Sequence, residues 1–492
     1  MPIQNPGRGF RFRISRPRQF VAALIVSAAL LLWPAVWNGY PIVFDDTGTY
    51  LSQATHHYLG WDRPVFYSLF LFSLHLTIST WPDVAAQAFL AALMLHLVRR
   101  TLMPAASLWW LVPFAAFLSA TTAMPWFASQ LMPDIFTPLL ILALSLLLFT
   151  PERLARPERI SLPLFSAFCI AAQQSSVILS CAVLLLLAPF RRLLGAGASL
   201  GRPGLATLAA PPLLAISALT FVNLVGFGRA SPFLFSNVFL LARVIYDGPG
   251  MDVLRHDCPR PGWDLCRFLG NFPATSDQFL WRHDSPIILA GGHKHVSDEA
   301  DAIIAASLRT AFSTELRAFL RNGAAQLAMF DSGDQLHACP ATVTPWIEHD
   351  FQGFERANYA AARQTNGRLA VPGWMQTIHR TTALAGLAGC ALALIAGIRR
   401  RHPAGGFAAA VLLAVLANAF IAGGLSTPHH RYGSRIILLA PAVALLCGAA
   451  LLRREPTHHC SSASAVTGAA FPQCSRNDAA GAAAAGHSPD DA

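Results

Sequence analysis

The sequence predicts an all-α polytopic membrane protein of about ten transmembrane helices. A surface helix follows the first external loop, and a larger external region lies between spans seven and eight. Three observations lead there. Of 492 residues, 54% are hydrophobic and only 13% charged, against about 25% charged in an ordinary soluble domain. The apolar residues fall in blocks near the ~20 residues that cross the hydrocarbon core as a helix. Arginines gather at the ends of these blocks, which is a topology signal and not a basic nucleic-acid-binding face. Lys294 is the only lysine, so arginine carries nearly all of the positive charge behind a net +10. A soluble enzyme, a nucleic-acid module and a disulfide-framework miniprotein are excluded, and no nucleic acid is expected as partner.

The elements follow in order. A basic cytoplasmic N-terminus (1–20) carries Arg8, Arg11, Arg13, Arg16 and Arg18 before an apolar run at Val21–Trp37. That run exceeds a signal-peptide core, and Ala35-Val36-Trp37 is a poor cleavage site, so it reads as an uncleaved first span. Residues 21–225 hold spans one to seven, interrupted by a first external loop of catalytic type at 38–83. The apolar stretch Val65–Thr80 is placed along the membrane surface, because as a span it would carry Arg99 and Arg100 to the disfavoured side. Asp83–Val98 is then span two, followed by Ser107–Met124, Pro133–Phe149, Ile160–Gln173, Val177–Phe190 and Leu205–Val225. Residues 226–378 read as an external (periplasmic) region, helical across Ser297–Phe330 from apolar residues three or four apart. Spans eight to ten (Thr381–Ile398, Phe407–Leu425, Ile436–Leu452) fill 379–454. The tail 455–492, rich in Ala, Gly and Ser without apolar period, reads as a disordered cytoplasmic segment. Both termini are then cytoplasmic, in a multi-pass protein of the inner (cell) membrane.

Chemistry concentrates in three short segments. The first loop carries Tyr40-Pro41-Ile42-Val43-Phe44-Asp45-Asp46-Thr47-Gly48-Thr49-Tyr50-Leu51, then His56-His57 and Arg63. Adjacent carboxylates just after a span are costly unless hydrated, paired or coordinating. They suit a general base with its orienter, a metal site, or a plain helix cap at Asp46 or Thr47. Asp134 opens span four at the same face, where an acid also complements the helix dipole. The last external loop holds His429, His430, Arg431 and Arg435. Guanidinium forks bind phosphate oxygens bidentately, so this loop reads as a phosphate clamp, or more simply as an interfacial anchor.

In this order the segments FDDTGTYL (44–51), RPVFYSLFLFSL (63–74), LMPD (131–134) and HRYGSRIILLAP (430–441) resemble the GT-C superfamily of membrane glycosyltransferases. The nearest likeness is to the protein O-mannosyltransferase and aminoarabinose-transferase type. It covers roughly the first 150 residues and the late loop. Members carry an acidic pair followed by Tyr, whereas Tyr50 falls one residue late if Asp45 takes the first acidic place, and Thr47 stands where the second acid belongs if Asp46 does. Either Asp45 or Asp46 therefore remains open as the base.

The resemblance implies inverting transfer of a sugar from a polyprenyl-phosphate donor, on the external face, to a hydroxyl or similar acceptor. Asp45, Asp46 and Asp134 would form the catalytic set. Arg431, Arg435, His429 and His430 would bind the donor phosphate, and Tyr50, His56, His57 and Arg63 would belong to the substrate loop. Some members need a divalent metal, for which Asp45, Asp46, His56 and His57 offer ligands of undiagnostic spacing, and the cofactor stays unknown. The partners implied are the lipid-linked sugar and membrane lipid.

On an oxidising face Cys258 and Cys266, flanking CPRPGWDLC, suit a disulfide. Three other functions compete: an oligosaccharide ligase or polymerase whose essential residues lie in 226–378, a transporter or flippase, and a non-catalytic scaffold. Transport favours ionisable residues near the midplane, and the spans offer little beyond His96, Gln173, Gln174 and Asn418.

Overall fold

The first apolar block does not run straight. Pro34 has no N–H to donate to Leu30, so the helix Pro17–Leu30 stops and a short helix, Trp33–Asn38, restarts after it. The freed Leu30 carbonyl accepts from Ser119 Oγ, which ties the break to a neighbouring helix. This computed structural model describes residues 17–197, 202–259 and 262–453. The basic run through Arg16 and the tail 455–492 lie outside the described residues.

Helices account for the architecture, and no strand forms among the described residues. Five helical segments there are long and apolar enough to cross a membrane: Trp81–Leu102, Gly204–Phe227, Gly373–Arg400, Ala404–Gly424 and His430–Leu452. The protein is membrane-embedded on this ground. Shorter apolar helices stand at four places where spans were expected, Pro17–Leu30, Leu108–Thr121, Pro133–Phe149 and Ser175–Leu187, and at Val65–His75, where a surface helix was expected. Burial separates inner from outer helices: 72% of the His430–Leu452 window is buried, against 28% for Gly204–Phe227 and Gly373–Arg400. The long outer helix buries one stripe, Met375, His379, Ala383, Gly386, Cys390, Ala393 and Gly397, with the three-and-four spacing of a single helix face.

Three boundaries move. Gly373–Arg400 begins inside the stretch assigned to the external region, because Pro372 supplies a natural helix start. The charged run 151–159 splits into a short turn, Pro151–Arg153, and the first residues of the helix Arg156–Ala172. His430–Ile437 is helical where a loop was expected, and it leads directly into Leu439–Leu452.

The stretch 226–378 is not uniform. Asn237–Asp247, Gly250–Asp257 and His293–Thr310 gather around a core of their own that includes Leu241, Leu254, Phe279 and Ile303. A disulfide joins Cys258 to Cys266 beside it, with Cα atoms 5.5 Å apart. The next helix, Phe312–Ala328, leaves that core and packs on the π-turn Phe420–Gly424 at the end of a candidate span, Phe319 meeting Phe420 at 5.5 Å between ring centroids. Thr344–Asp350 then packs on the first-loop helix Thr47–Thr55. Gly353–Ala361 supplies Glu355, whose Oε1 accepts from Thr80 N and Oγ1 at 2.8 and 2.7 Å.

Candidate active site

Two distant segments are stitched together before any charged group meets. Ile42 N donates to Ser129 O at 2.9 Å, and Leu131 N donates to Ile42 O at 2.8 Å. Thr47 Oγ1 accepts from Phe44 N (2.8 Å) and donates to Leu131 O (3.1 Å). Buried Gln87 supports the second segment from below, donating to Gln130 O at 2.8 Å. This short parallel pairing sets the Phe44–Thr47 turn against the Pro133–Ile135 turn, and so brings Asp46 near Asp134.

The cations come from the other end of the chain. Arg431 and Arg435 are four residues apart on the helix His430–Ile437 and share a face. Gly433, between them, packs on the Met329 carbonyl so closely that a side chain there would collide with it. Arg435 is 2% exposed. Its Nη1 donates to Asp134 Oδ1 at 3.0 Å, and its Nη2 to Asn418 Oδ1 at 3.3 Å. Arg431 Nε lies 3.8 Å from Asp134 Oδ1, its Nη2 4.0 Å from Asp46 Oδ2, and its guanidinium stacks 3.9 Å above the Phe44 ring. Arg63 closes the set, donating from Nη2 to Asp46 Oδ1 at 2.7 Å. Three guanidiniums thus face Asp46 and Asp134 in a low-dielectric setting. Arg431 Nη1, Arg435 Nε and Asp134 Oδ2 are buried and make no hydrogen bond within the protein.

These groups line one cavity of about 1280 Å³. Asp45, Asp46, Tyr50, Arg63, Asp134, His429, Arg431 and Arg435 all border it. Its lining also includes apolar side chains, among them Ile178, Leu234, Phe239, Ile421 and Leu425. Burial pulls the Arg63 guanidinium down, but Asp46 and Asp62 outweigh it and hold the group above its ordinary value. Burial raises the Asp62 carboxyl above its usual range against the opposing pull of Arg63. The Tyr50 hydroxyl is raised by burial.

Asp45 and Asp46 have different surroundings although adjacent. Asp46 keeps 12% of its side-chain exposure and sits among the arginines. Asp45 keeps 42% and turns the other way, accepting from His337 Nε2 at 3.0 Å and Thr342 Oγ1 at 3.1 Å. Gly48 allows this approach, since a side chain there would strike the Thr342 carbonyl.

Other expected site residues lie apart from the cavity lining. His56 Nε2 contacts Asp350 Oδ1 at 2.9 Å, with His349 close by. His57 is exposed, with φ 53°. His430 Nδ1 accepts from Asp331 N at 3.0 Å. Of the phosphate clamp expected from His429, His430, Arg431 and Arg435, therefore, His430 faces elsewhere.

Asn418, Ser175, His337, Thr342 and Gln364 were not singled out from the sequence as site residues. Each reaches the site through partners tens to hundreds of positions away, so no local spacing marks it. Two groups of metal-ligating type stand out among the described residues, Asp45–His337–Cys339 and His56–His349–Asp350, each with donor atoms within 4.8 Å of one another. No protein-family model, curated protein or solved structure matches this chain.

Proposed function

We propose that the protein is an integral membrane glycosyltransferase of GT-C type, which moves a sugar from a polyprenyl-phosphate donor to an acceptor with inversion. The observation that carries this reading is the meeting of Asp46, Asp134, Arg63, Arg431 and Arg435 on one cavity whose lining also includes apolar side chains. A lipid-linked phosphosugar needs both: a cationic cradle for the phosphate and a hydrophobic surface for the prenyl chain. In the same proposal the chain crosses the inner membrane about ten times, with both termini cytoplasmic and the cavity on the external face.

Asp46 is the better base of the adjacent pair. Both border the cavity, but Asp46 lies between Arg63 and Arg431, whereas Asp45 turns to His337 and Thr342. In the reaction the acceptor hydroxyl oxygen bonds to the anomeric carbon from the face opposite the phosphate, and its proton passes to the Asp46 carboxylate. The anomeric C–O bond to phosphate breaks, and its electron pair leaves on the phosphate oxygen. Arg431 takes up the charge that grows there, and Asp134, 3.8 Å from Arg431 Nε and bonded to Arg435, holds the guanidinium in place. His429 borders the same cavity, and in this reading it hydrogen-bonds the donor.

Asp46→Asn should lower transfer of labelled sugar from a polyprenyl-phosphate donor, in liposomes holding the purified protein, by at least about 100-fold, while Asp45→Asn should retain most of it. Full activity of Asp46→Asn would remove the base assignment. Activity lost only on changing residues such as Asp277 or Asp301, which border the cavity from the 226–378 stretch, would favour the ligase or polymerase reading.

A further inference from the structure

Cys339 is 2% exposed and lies two residues from His337, which points a ring nitrogen at Asp45. The Asp45 carboxylate, the His337 imidazole and the Cys339 sulfur offer three donor atoms within 4.8 Å of one another. The group spans nearly 300 positions of chain, yet one buried side chain fixes both halves. Gln364, 1% exposed, accepts from Val43 N at 2.9 Å and donates to Val43 O at 2.7 Å and to His337 O at 3.1 Å. Gln364 therefore locks the backbone two residues before Asp45 to the backbone of His337. Thr342 Oγ1, donating to Asp45 Oδ1, orients the carboxylate from a second side.

We propose that Asp45, His337 and Cys339 form a binding site for a zinc-class divalent ion at the edge of the cavity. The donor set decides the metal class. A thiolate with an imidazole and a carboxylate suits borderline-soft Zn²⁺ and is a poor match for Mg²⁺ or Ca²⁺, which take oxygen ligands. The spacing is near that of a zinc site. Metal–donor bonds of about 2.0–2.3 Å put tetrahedral ligand atoms about 3–4 Å apart, against separations within 4.8 Å here and 3.0 Å between His337 Nε2 and Asp45 Oδ2. Access is available, because His337 and Asp45 keep 53% and 42% of their side-chain exposure while the sulfur lies beneath them. Three protein ligands leave a further coordination position, the pattern of a reactive zinc site rather than a closed structural one. This assignment stands on Asp45, His337 and Cys339 and does not depend on the glycosyltransferase reading.

The test is cobalt substitution on the purified, metal-stripped full chain in detergent, read optically with no donor present. Co²⁺ should saturate at one ion per chain and produce a sulfur-to-cobalt charge-transfer band, and Zn²⁺ should displace it. Cys339→Ser should lose the band, whereas Cys390→Ser, a buried thiol elsewhere, should keep it. His337→Ala leaves the sulfur in place and should still weaken binding, which covers the case in which Cys339→Ser fails to fold. Gln364→Ala, which removes only the clamp, should weaken binding by about 10–100-fold. Absence of a thiolate band, or a band and affinity that survive both Cys339→Ser and His337→Ala, would overturn the site. Either result leaves the Asp46→Asn transfer assay to be judged separately.

Discussion

Asp134 is the residue on which the site's charges depend. It is 1% exposed and is the carboxylate nearest Arg435, itself 2% exposed. Asp134→Ala would leave that guanidinium buried without its counter-ion, and removing one partner of a buried pair costs about 3–5 kcal/mol. Denaturation in detergent should show a loss of that size, and unchanged stability would mean that Asn418 and water suffice for Arg435. The double variant Asp134→Leu, Arg435→Met should recover most of the loss yet remain inactive, since apolar replacement of a whole pair is often neutral for stability. Asp62 gives a pH signature. Its carboxyl is raised above the ordinary 3.8 by burial, so the folded state binds more protons than the unfolded one as pH rises from 3.8 toward the raised value. Stability must fall across that window. The slope should flatten in Asp62→Asn, and an identical pH profile for that variant would assign the slope to another group. The acids and arginines could be picked out in the sequence because charge at the ends of apolar blocks demands an explanation. Their pairing could not: Asp45 meets His337 across 292 positions, and no periodicity records a contact of that range.

Among the elements, the long apolar helices were legible and their ends were not. His430–Ile437 reads as a polar loop by composition. It folds as helix because its face at 431 and 435 finds Asp134 and Asp46, a tertiary effect that local propensity does not contain. The break before Trp33 was written in Pro34, but the hydroxyl that satisfies the exposed carbonyl comes from Ser119. Phe312–Ala328 is the element whose position changes most. It buries Glu315, Ala318, Asn322 and Gln326, with Glu315 bonded to Arg243 and Ser307 and Asn322 to Asp247, and leaves Phe312, Leu316, Leu320 and Leu327 exposed as an adjoining apolar stripe. An apolar stripe on a helix packed beside a membrane-crossing segment belongs in acyl chains. A nitroxide at Leu320 in liposomes should therefore favour collisions with oxygen over a water-soluble nickel chelate, and one at exposed Arg317 should do the reverse. Equal water accessibility at the two positions would place the whole helix in solvent.

At the scale of the molecule, composition was enough to identify a helical, membrane-embedded chain, and five helices of crossing length agree with it. The cavity was not legible. It needs the first loop, the Pro133–Ile135 turn, the 430–437 helix and part of the 226–378 stretch to converge, and only the folded bundle brings them together. Charged and apolar side chains both line that cavity, which is what the proposed lipid-linked donor requires. The most direct test is an electron cryomicroscopy structure of the protein with a polyprenyl phosphate bound. The account predicts phosphate density within hydrogen-bonding distance of the Arg431 guanidinium, with the prenyl chain along Ile178, Ile421 and Leu425. Phosphate density at a site that touches none of Arg63, Arg431 and Arg435 would contradict it.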